Sequence, residues 1–393
     1  MYHLDFIEPP GFFRESGLKE QYRGKRVLVL GGDGFIGVHV ATALMALGAR
    51  VSILSRRHTS LLESTGINIF RGHLLQREVL QRAMVNQDMV FDLAGSSGGF
   101  SSNKDAHRNF VSECQPHLAA FQCAAELPES PLMVFCSTRT VYGRPKTLPV
   151  SEDHPLAPIS VYAIHKVTLE NYLQVFHQTR GLNYLIFRVG NPYGPYLWQE
   201  KKDYGVMNQF ILNAHYRQPI RLFGDGEQMR DYIYVDDLVE ALLRGAVQQN
   251  CRNEIFNLGG PSPISMKSAV EVLVKERPGT QVQYEPWPED YRKIETGDYF
   301  TDSRKLRTFI PNLKQTGFAE GARRTLDVYS QLQDSDIENT NFEVSVALTQ
   351  VKQDSIPPQP EYWHGKRVMI TGVNGFIGGE LARRLVGMGA AIM

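Results

Sequence analysis

The stretch RVLVLGGDGFIGVHVATALMALG, residues 26–48, decides the fold. A short apolar run, a glycine-rich turn and a helical pattern follow one another, which indicates a β-strand that leads into an α-helix. Gly31, Gly34 and Gly37 give the spacing GxxGxxG. Such a turn lets backbone N–H groups approach a pyrophosphate, and the helix N-terminus adds partial positive charge. The stretch therefore predicts a dinucleotide-binding unit.

Short apolar runs recur along the chain and alternate with longer helical patterns. The candidate strands are residues 26–32, 50–55, 67–70, 89–95, 132–138 and 183–191. This alternation is typical of a parallel sheet that helices cover on both faces. We predict an α/β protein with a doubly wound parallel sheet of the Rossmann kind, whose ligand cleft lies at the carboxyl ends of the strands.

The regular alternation ends near residue 193. The segments PIRLFGDG (219–226) and EPWPEDYRK (285–293) carry turn residues and prolines that interrupt it. The predicted organisation is an N-terminal extension over 1–22, a dinucleotide-binding domain over 23–192 to which 230–250 returns, a smaller and mainly substrate-binding region over 193–330, and a linker over 331–364.

Composition limits the classes of function. The 393 residues are 42% hydrophobic and carry 42 basic and 42 acidic side chains, so no net charge attracts the chain to nucleic acid or an anionic membrane. No apolar run approaches the roughly 20 residues that span a bilayer, and the N-terminus lacks a signal-peptide pattern. We expect a cytoplasmic protein with no nucleic-acid or membrane partner. The four cysteines lack zinc-site spacing, so we expect reduced thiols and no metal.

The residue after the second strand reads the adenosine ribose in this kind of fold, and an acidic residue there favours an unphosphorylated ribose. Here the strand ends at Ser55, and Arg56 and Arg57 follow. Guanidinium groups suit a 2′-phosphate because they form charge-assisted, bidentate hydrogen bonds. These residues favour NADP, with solvated arginines as the alternative interpretation.

A second group of residues is suited to acid–base chemistry. Thr138 ends the predicted strand 132–138, and Tyr162 and Lys166 follow as YAIHK in a helical stretch. Residues four positions apart share one face of a helix, so the ammonium can lie beside the phenol. A neighbouring cation lowers the pKa of a phenol, whose ordinary value is about 10. We predict Tyr162 as the acid–base residue, with Lys166 and Thr138 beside it.

Over roughly residues 24–330 the chain resembles the sugar-nucleotide epimerase/dehydratase branch of the extended short-chain dehydrogenase/reductases. The stretches that carry the resemblance are GGDGFIG (31–37), STRTVYG (137–143), SVYAIHK (160–166), FRVGNPYGP (187–195), LFGDGEQMRDYIYVDDLVEA (222–241), FNLGG (256–260) and ETGDYFTDSRKL (295–306). The resemblance implies an activity like that of UDP-glucose 4-epimerase, NAD as cofactor, a nucleotide-sugar substrate and a homodimer.

The resemblance also implies roles for single residues. Thr138 hydrogen-bonds the sugar hydroxyl, Tyr162 removes its proton, and Lys166 holds the nicotinamide ribose while it lowers the pKa of the tyrosine. Further substrate contacts are expected from Asn191, from Arg230 at the diphosphate and from Arg292. The other expected cofactor contacts, besides the glycines and Ser55, Arg56 and Arg57, are Phe35, Ile36, His73, Leu74, Leu93, Ala94 and Gly95.

The residues after Thr138 bear on the reaction. Family dehydratases place an Asp–Glu pair there and decarboxylases retain a Glu, whereas this chain has Arg139 and Thr140. Elimination across the C5–C6 bond of the sugar then lacks its general acid and base, and epimerisation at C4 through a transient 4-keto sugar needs neither. We predict a C4 epimerase. The alternatives are an NADP-dependent keto-sugar reductase and a catalytically inactive cofactor-binding scaffold.

The beginning of the pattern occurs twice. GKRVLVLGGDGFIGVHVATALMALGARV at 24–51 recurs as GKRVMITGVNGFIGGELARRLVGMGAAIM at 365–393, with Gly372, Gly375 and Gly378 in the same spacing. We predict the start of a second, similar domain in tandem. Alternatively, the segment packs as a tail on the first domain or on another copy. One strand and one helix do not complete a dinucleotide cleft, so we expect these glycines to bind no cofactor.

Overall fold

The computed structural model describes residues 16–56, 66–95, 99–195, 205–331, 367–368 and 391–392. The chain divides into two compact units. The described residues up to 331 belong to the first unit, and the four described residues beyond them belong to the second.

The strands of the first unit are β1 (Arg26–Leu30), β2 (Arg50–Ser55), β3 (Asn68–Arg71), β4 (Met89–Asp92), β5 (Leu132–Thr138), β6 (Tyr184–Val189), β7 (Asn191–Tyr193), β8 (Ile220–Phe223), β9 (Met229–Arg230), β10 (Tyr232–Tyr234), β11 (Glu254–Leu258), β12 (Ile264–Ser265) and β13 (Val282–Glu285). Its α-helices are α1 (Ser16–Tyr22), α2 (Phe35–Ala46), α3 (Arg77–Met84), α4 (Gly99–Lys104), α5 (Ala106–Asn109), α6 (Gln115–Ala125), α7 (Val161–Arg180), α8 (Val206–His215), α9 (Val235–Val247), α10 (Met266–Glu276), α11 (Glu289–Ile294), α12 (Arg304–Phe309) and α13 (Phe318–Gln331). A π-helical turn at Phe110–Cys114 precedes α6, and 3₁₀ turns lie at Arg139–Tyr142 and Gln249–Cys251.

Seven of these strands form one parallel sheet in the order β3-β2-β1-β4-β5-β6-β11. Val27 of β1 pairs with Val51 of β2 on one side and with Met89 of β4 on the other. The strand order therefore reverses beside β1, which is where a doubly wound sheet places its ligand cleft. All six predicted strands are present and the fold class is confirmed. β11, from the segment assigned to substrate binding, adds a seventh strand beside β6.

The central strand shows why both faces of the sheet are covered. Successive side chains of a strand point to opposite faces. Val27 and Val29 accordingly belong to one buried apolar cluster, and Leu28 and Leu30 belong to another. The continuous apolar run after Arg26 thus supplies two hydrophobic cores at once.

Helix α1 belongs to this structure as well. Leu18 and Tyr22 are buried in the same cluster as part of β1, and the Tyr22 hydroxyl donates to the carbonyl of Leu243 at 2.8 Å. The extension predicted over 1–22 therefore includes a helix that packs on the dinucleotide-binding domain. Residues 1–15 lie outside the described ranges.

After β6 the chain builds three small strand pairs. β7 pairs with β10 and β8 with β13, both in parallel, and β9 pairs with β12 in antiparallel. Helix α9 then returns to the sheet, where Leu238, Val239 and Leu242 join the same core as β1. Part of the segment 230–250 therefore packs on the large sheet, and β11 pairs with β6 in it; the division into cofactor- and substrate-binding regions stays a prediction.

In the second unit, the structure describes β14 (Arg367–Val368) and β15 (Ala391–Ile392), which pair in parallel. Arg367 lies opposite Ala391, as Arg26 lies opposite Arg50 in the first unit. When the two sequence repeats are aligned, the strand register is the same. The predicted linker from residue 332 onward and the second glycine turn fall outside the described residues.

Among the described residues, no helix combines the length and apolar character that crossing a membrane requires. The same part of the chain contains no group of three or more His, Cys, Asp or Glu side chains placed to hold a metal ion. All four cysteines are free thiols, as the sequence predicts.

Candidate active site

In the glycine turn after β1, Gly31 and Gly37 occupy positions that leave no room for a side chain. At Gly31, φ is +74° and a Cβ atom would lie 2.7 Å from the Cα atom of Ala94. At Gly37, a Cβ atom would lie 2.0 Å from the carbonyl oxygen of Gly31. Gly34 occupies the N-cap position of α2, so no side chain there caps the N–H groups of the first turn. A helix N-terminus at such a turn attracts phosphate oxygens, so these residues fit the pyrophosphate of a dinucleotide.

A cleft lies along the carboxyl ends of β1, β2 and β4. Its lining includes the predicted cofactor residues Gly31, Gly34, Ser55, Arg56, His73, Leu74, Leu93, Ala94 and Gly95. Phe35, Ile36 and Gly37 form the first turn of α2 beside it, and Arg57 lies outside the described residues. The structure therefore brings the described cofactor candidates together around one cavity.

The end of β2 combines a carboxylate with a guanidinium. The buried Ser55 hydroxyl donates to Oδ2 of Asp33 at 2.9 Å, and both residues line the cleft. Arg56 also lines the cleft and is exposed. Burial, and then the charge of Arg56, lowers the pKa of His73. Charges of both signs thus lie at the end of the cleft where the ribose is expected.

Thr138, Tyr162 and Lys166 converge at the carboxyl end of β5. Thr138 is the last residue of that strand, and the other two lie one turn apart on α7. Lys166 is buried, and its Nζ donates to the carbonyl of Cys136 at 3.1 Å. The same Nζ lies 5.8 Å from the ring centroid of Tyr162. The helix therefore presents the phenol and the ammonium on one face.

Burial controls the proton affinities of this group. Burial raises the pKa of Tyr162 above its ordinary value, the negative charge of Glu113 raises it further, and a hydrogen bond with Thr138 lowers it. Burial also lowers the pKa of Lys166. In the protein alone, the lowering of the tyrosine pKa expected from Lys166 is therefore outweighed by desolvation.

Buried carboxylates lie on the other side of Lys166. Asp92, the last residue of β4, is fully buried, and its Oδ2 lies 2.7 Å from Nδ1 of His117 on α6. Glu113 lies in the π-helical turn and lines the cleft together with His117. The charges of Asp92 and Glu113 oppose the lowering of the Lys166 pKa. A π-helical turn frequently occurs at a functional site, and here it places a carboxylate near Tyr162 and Lys166.

Arg139 begins the 3₁₀ turn after β5, and its side chain makes its described hydrogen bonds and its ring contact with neutral groups. Its Nε donates to Oδ1 of Asn191 at 3.0 Å, and its Nη1 donates to the Thr296 hydroxyl at 3.1 Å. Its guanidinium carbon lies 4.8 Å from the ring centroid of Tyr299. Burial, and then the positive charge of Arg230, lowers the pKa of Arg139 to about 10. Two guanidinium groups therefore approach one another at the substrate end of the site.

Arg230 is already held by protein groups. It forms an ion pair with Glu295, and its Nη1 donates to the carbonyls of Met229 at 2.7 Å and Gly297 at 2.6 Å. Arg292 is exposed on α11. Contact of either arginine with a diphosphate stays a prediction.

Sequence reasoning missed three residues that the structure places in the site. For Arg139, the sequence showed only that no carboxylate stands at this position, although a charged residue directly after Thr138 could have indicated a contact in the site. Asp33 lies inside the quoted glycine turn, but nothing in the pattern showed that it reaches Ser55. Glu113 gave no local signal, because its contact with the cleft depends on the π-helical turn.

The doubly wound sheet, the glycine turn against a cleft and the Tyr–Lys pair beside it define a dinucleotide-dependent α/β enzyme. The chain belongs to the NAD dependent epimerase/dehydratase family, whose family model matches residues 27–259.

Among curated relatives, the chain is 28% identical over 271 residues to UDP-glucuronic acid decarboxylase 1 of Arabidopsis thaliana, which covers 66% of this chain and 60% of that protein. The chain thus spans less than two thirds of the length of that relative.

Solved structures that are similar to this chain include two UDP-glucose 4-epimerases. For the UDP-glucose 4-epimerase of Thermotoga maritima with UDP-glucose, the TM-score is 0.71 at 26% identity, over 78% of this chain and 99% of that one. For the UDP-glucose 4-epimerase of Thermus thermophilus in complex with NAD, the TM-score is 0.69 at 28% identity, over 78% of this chain and 100% of that one.

Proposed function

We propose that the chain epimerises a nucleotide-linked sugar at C4, with a nicotinamide dinucleotide as cofactor. The observation that carries the proposal is the convergence of Thr138, Tyr162 and Lys166 at the end of β5, beside the glycine-turn cleft. Arg139 follows Thr138, so elimination lacks a carboxylate at this position. Similarity to two UDP-glucose 4-epimerases supports the proposal.

In this reaction Tyr162 takes the proton of the C4 hydroxyl and later returns it to the other epimer. Thr138 hydrogen-bonds the phenol and orients it. The buried ammonium of Lys166 stabilises the phenolate form of Tyr162 that takes this proton. NAD, when bound, supplies the hydride acceptor and donor for C4. Burial of the group excludes water from the transient ketone.

Replacement of the phenol tests the acid–base role. Tyr162→Phe should lower the turnover of UDP-glucose and UDP-galactose about 10²–10⁴-fold with little change in NAD affinity, because only the transferable proton is lost. Tyr172→Phe on the same helix is the matched control, since Tyr172 is exposed and only stacks on Phe176. Turnover is followed by chromatography of the UDP-sugars. Unchanged turnover in Tyr162→Phe contradicts the proposal.

We propose NAD rather than NADP as the cofactor. The Asp33 carboxylate, held by Ser55 at 2.9 Å, suits a ribose hydroxyl and repels a 2′-phosphate. This weighs against the NADP expectation from Ser55, Arg56 and Arg57. Calorimetric titration should show tighter binding of NAD by about tenfold or more, and Asp33→Asn should narrow the difference. Tighter NADP binding by the wild type favours the reductase alternative instead.

We propose a homodimer that forms through α7. Ile164 and Val175 are each 49% exposed, and Tyr172 beside them is 36% exposed. On an α-helix these positions lie within one face, so an apolar strip of α7 is available to a second copy. Light scattering should give the mass of a dimer. Ile164→Glu combined with Val175→Glu should give a monomer, and a wild-type monomer contradicts this proposal.

We propose that residues 365–393 begin a second domain of the same kind. The parallel pairing of β14 with β15, in the register of β1 with β2, supports this. Deletion of 365–393 should leave one NAD bound per chain. A fall from two to one contradicts the expectation that Gly372, Gly375 and Gly378 bind no cofactor.

A further inference from the structure

Arg139 is a partly buried cation whose described hydrogen-bond and ring contacts are all with neutral groups. They are the side-chain oxygen of Asn191, the hydroxyl of Thr296 and the ring face of Tyr299. Burial of a charge without an opposite charge is strongly unfavourable. Arg139 is shielded from water in part and has no ion-pair partner among the described residues, so a ligand anion would pair with it favourably.

The neighbouring carboxylates are occupied by other groups. Glu295 forms an ion pair with Arg230, and Oδ2 of Asp231 accepts a hydrogen bond from the Thr301 N–H at 2.9 Å. Both carboxylates are close enough to raise the pKa of Arg139 against the effect of burial. Among the described residues, however, neither forms an ion pair with it.

The guanidinium also keeps donors for a ligand. Its Nε and Nη1 are used by Asn191 and Thr296, while its Nη2 has no hydrogen-bond partner in the described part of the chain. A planar guanidinium with an open edge suits the planar oxygens of a carboxylate. Arg139 directly follows Thr138, so this edge lies next to the residue expected to hold the reacting sugar hydroxyl.

We propose that Arg139 binds the carboxylate of a sugar acid, so that the substrate of this site is a nucleotide-linked hexuronate. The inference rests on the proposed function, because it assumes that Thr138 and Tyr162 hold the C4 hydroxyl. In a hexuronate, the carboxylate carbon C6 is attached to C5, which is the neighbour of C4. A carboxylate at C6 therefore lies on the side of the sugar ring next to the residues that bind O4.

Arg139 also bears on what happens after oxidation at C4. A 4-keto hexuronate is a β-keto acid and loses CO₂ as the carboxylate charge moves into an enolate. A guanidinium on the carboxylate stabilises the charge where it starts, so it raises the barrier to this loss. With Arg139 in place, the expected product is the C4 epimer with C6 retained rather than a pentose.

Substrate preference tests the inference. The wild-type enzyme with NAD should prefer UDP-glucuronate to UDP-glucose in kcat/KM by about tenfold or more, because the loss of a charge-assisted contact corresponds to at least that factor. Arg139→Gln should lower this preference about 10–100-fold and raise the share of CO₂ among the products. Arg139→Lys should recover part of the preference. Arg221→Gln, on the exposed side of β8, is the control that keeps it.

Binding of UDP separates a sugar carboxylate from the diphosphate as the anion that Arg139 contacts. If Arg139→Gln weakens UDP, UDP-glucose and UDP-glucuronate by the same factor in calorimetry, the guanidinium contacts the diphosphate and the inference is wrong. A wild type that prefers UDP-glucose also overturns it, while the epimerase proposal stands. A wild type that binds UDP-glucuronate by way of Arg139 but converts no UDP-sugar overturns only the epimerase proposal.

Discussion

Two arginines, the buried Arg188 and the partly buried Arg139, have different surroundings. Arg188 of β6 forms an ion pair with Glu170 at 2.8 Å, and its Nη1 donates to the Tyr142 hydroxyl at 2.8 Å. The described contacts of Arg139 are with neutral groups. The first cation has an ion-pair partner in the protein, whereas the second has none among the described residues. The comparison separates a cation of the scaffold from the one that we propose binds a ligand.

The groups around Arg188 form a connected network of hydrogen bonds. Oε1 of Glu170 accepts hydrogen bonds from the hydroxyl of Ser137 and from Nε of Arg188. Burial alone would lower the pKa of Arg188, but its hydrogen bonds to Glu170 raise the pKa above the ordinary value. The hydroxyl of Tyr142 extends this network because it donates a hydrogen bond to Oδ1 of Asn257 at 2.6 Å. Such networks are most costly to disturb at the charged members.

Removal of the scaffold carboxylate should give the largest effect on stability. Glu170→Gln leaves Arg188 buried without its counter-charge, so the free energy of unfolding should fall by about 3–5 kcal/mol. Urea denaturation followed by circular dichroism measures it. Glu254→Gln is the control, since the Glu254–Lys305 pair is partly exposed. A loss below that of the control would mean that the two arginines do not differ as described.

The buried, neutral imidazole of His39 gives a further test of buried polar groups, through the dependence of stability on pH. Burial lowers the pKa of His39 to about 4, and its ring lies 2.9 Å from the carbonyl of Pro195. Between about pH 6.5 and pH 4 the unfolded chain binds more protons, so the fold should lose up to about 3 kcal/mol as pH falls. His39→Gln, which keeps a donor, should lose less over this range. Parallel stability curves for the two proteins would contradict the assignment.

Two adjacent residues on β5 separate the scaffold from the chemistry. Ser137 donates to Glu170, whereas Thr138 hydrogen-bonds Tyr162, the proposed acid–base residue, and both partners lie on α7. Ser137→Ala should cost about 1–2 kcal/mol of stability and leave turnover nearly unchanged. Thr138→Val should do the reverse. Denaturation and turnover measured on both variants check this, and a shared phenotype would break the distinction.

The smallest stability effect is expected at Arg139. Arg139→Gln removes a partly buried charge that has no ion-pair partner among the described residues, so the free energy of unfolding should change by less than about 1 kcal/mol, or rise. The measurement is the same urea denaturation without substrate. Destabilisation comparable to that of Glu170→Gln would place Arg139 with the scaffold.

The sequence predicted the parts of the molecule that depend on neighbours in the chain. The six strands, the glycine turn and the Tyr162–Lys166 face all follow from periodicity and short spacings. The surroundings of Arg139 could not be predicted, because its partners Asn191 and Thr296 lie 52 and 157 residues away. The proton affinity of Tyr162 depends on burial and on Glu113 from another helical segment, which no local pattern encodes.

The burial of the four thiols has a practical consequence for labelling. Burial raises the pKa of Cys136 to about 12 and the pKa values of Cys123 and Cys251 to about 11, and it also raises that of Cys114. At the values of Cys136, Cys123 and Cys251, the reactive thiolate near neutral pH is on the order of one part in 10⁴ or less, and Cys114 is fully buried. A maleimide dye should therefore modify a single introduced cysteine, such as Glu129→Cys on an exposed turn, without removal of the natural four.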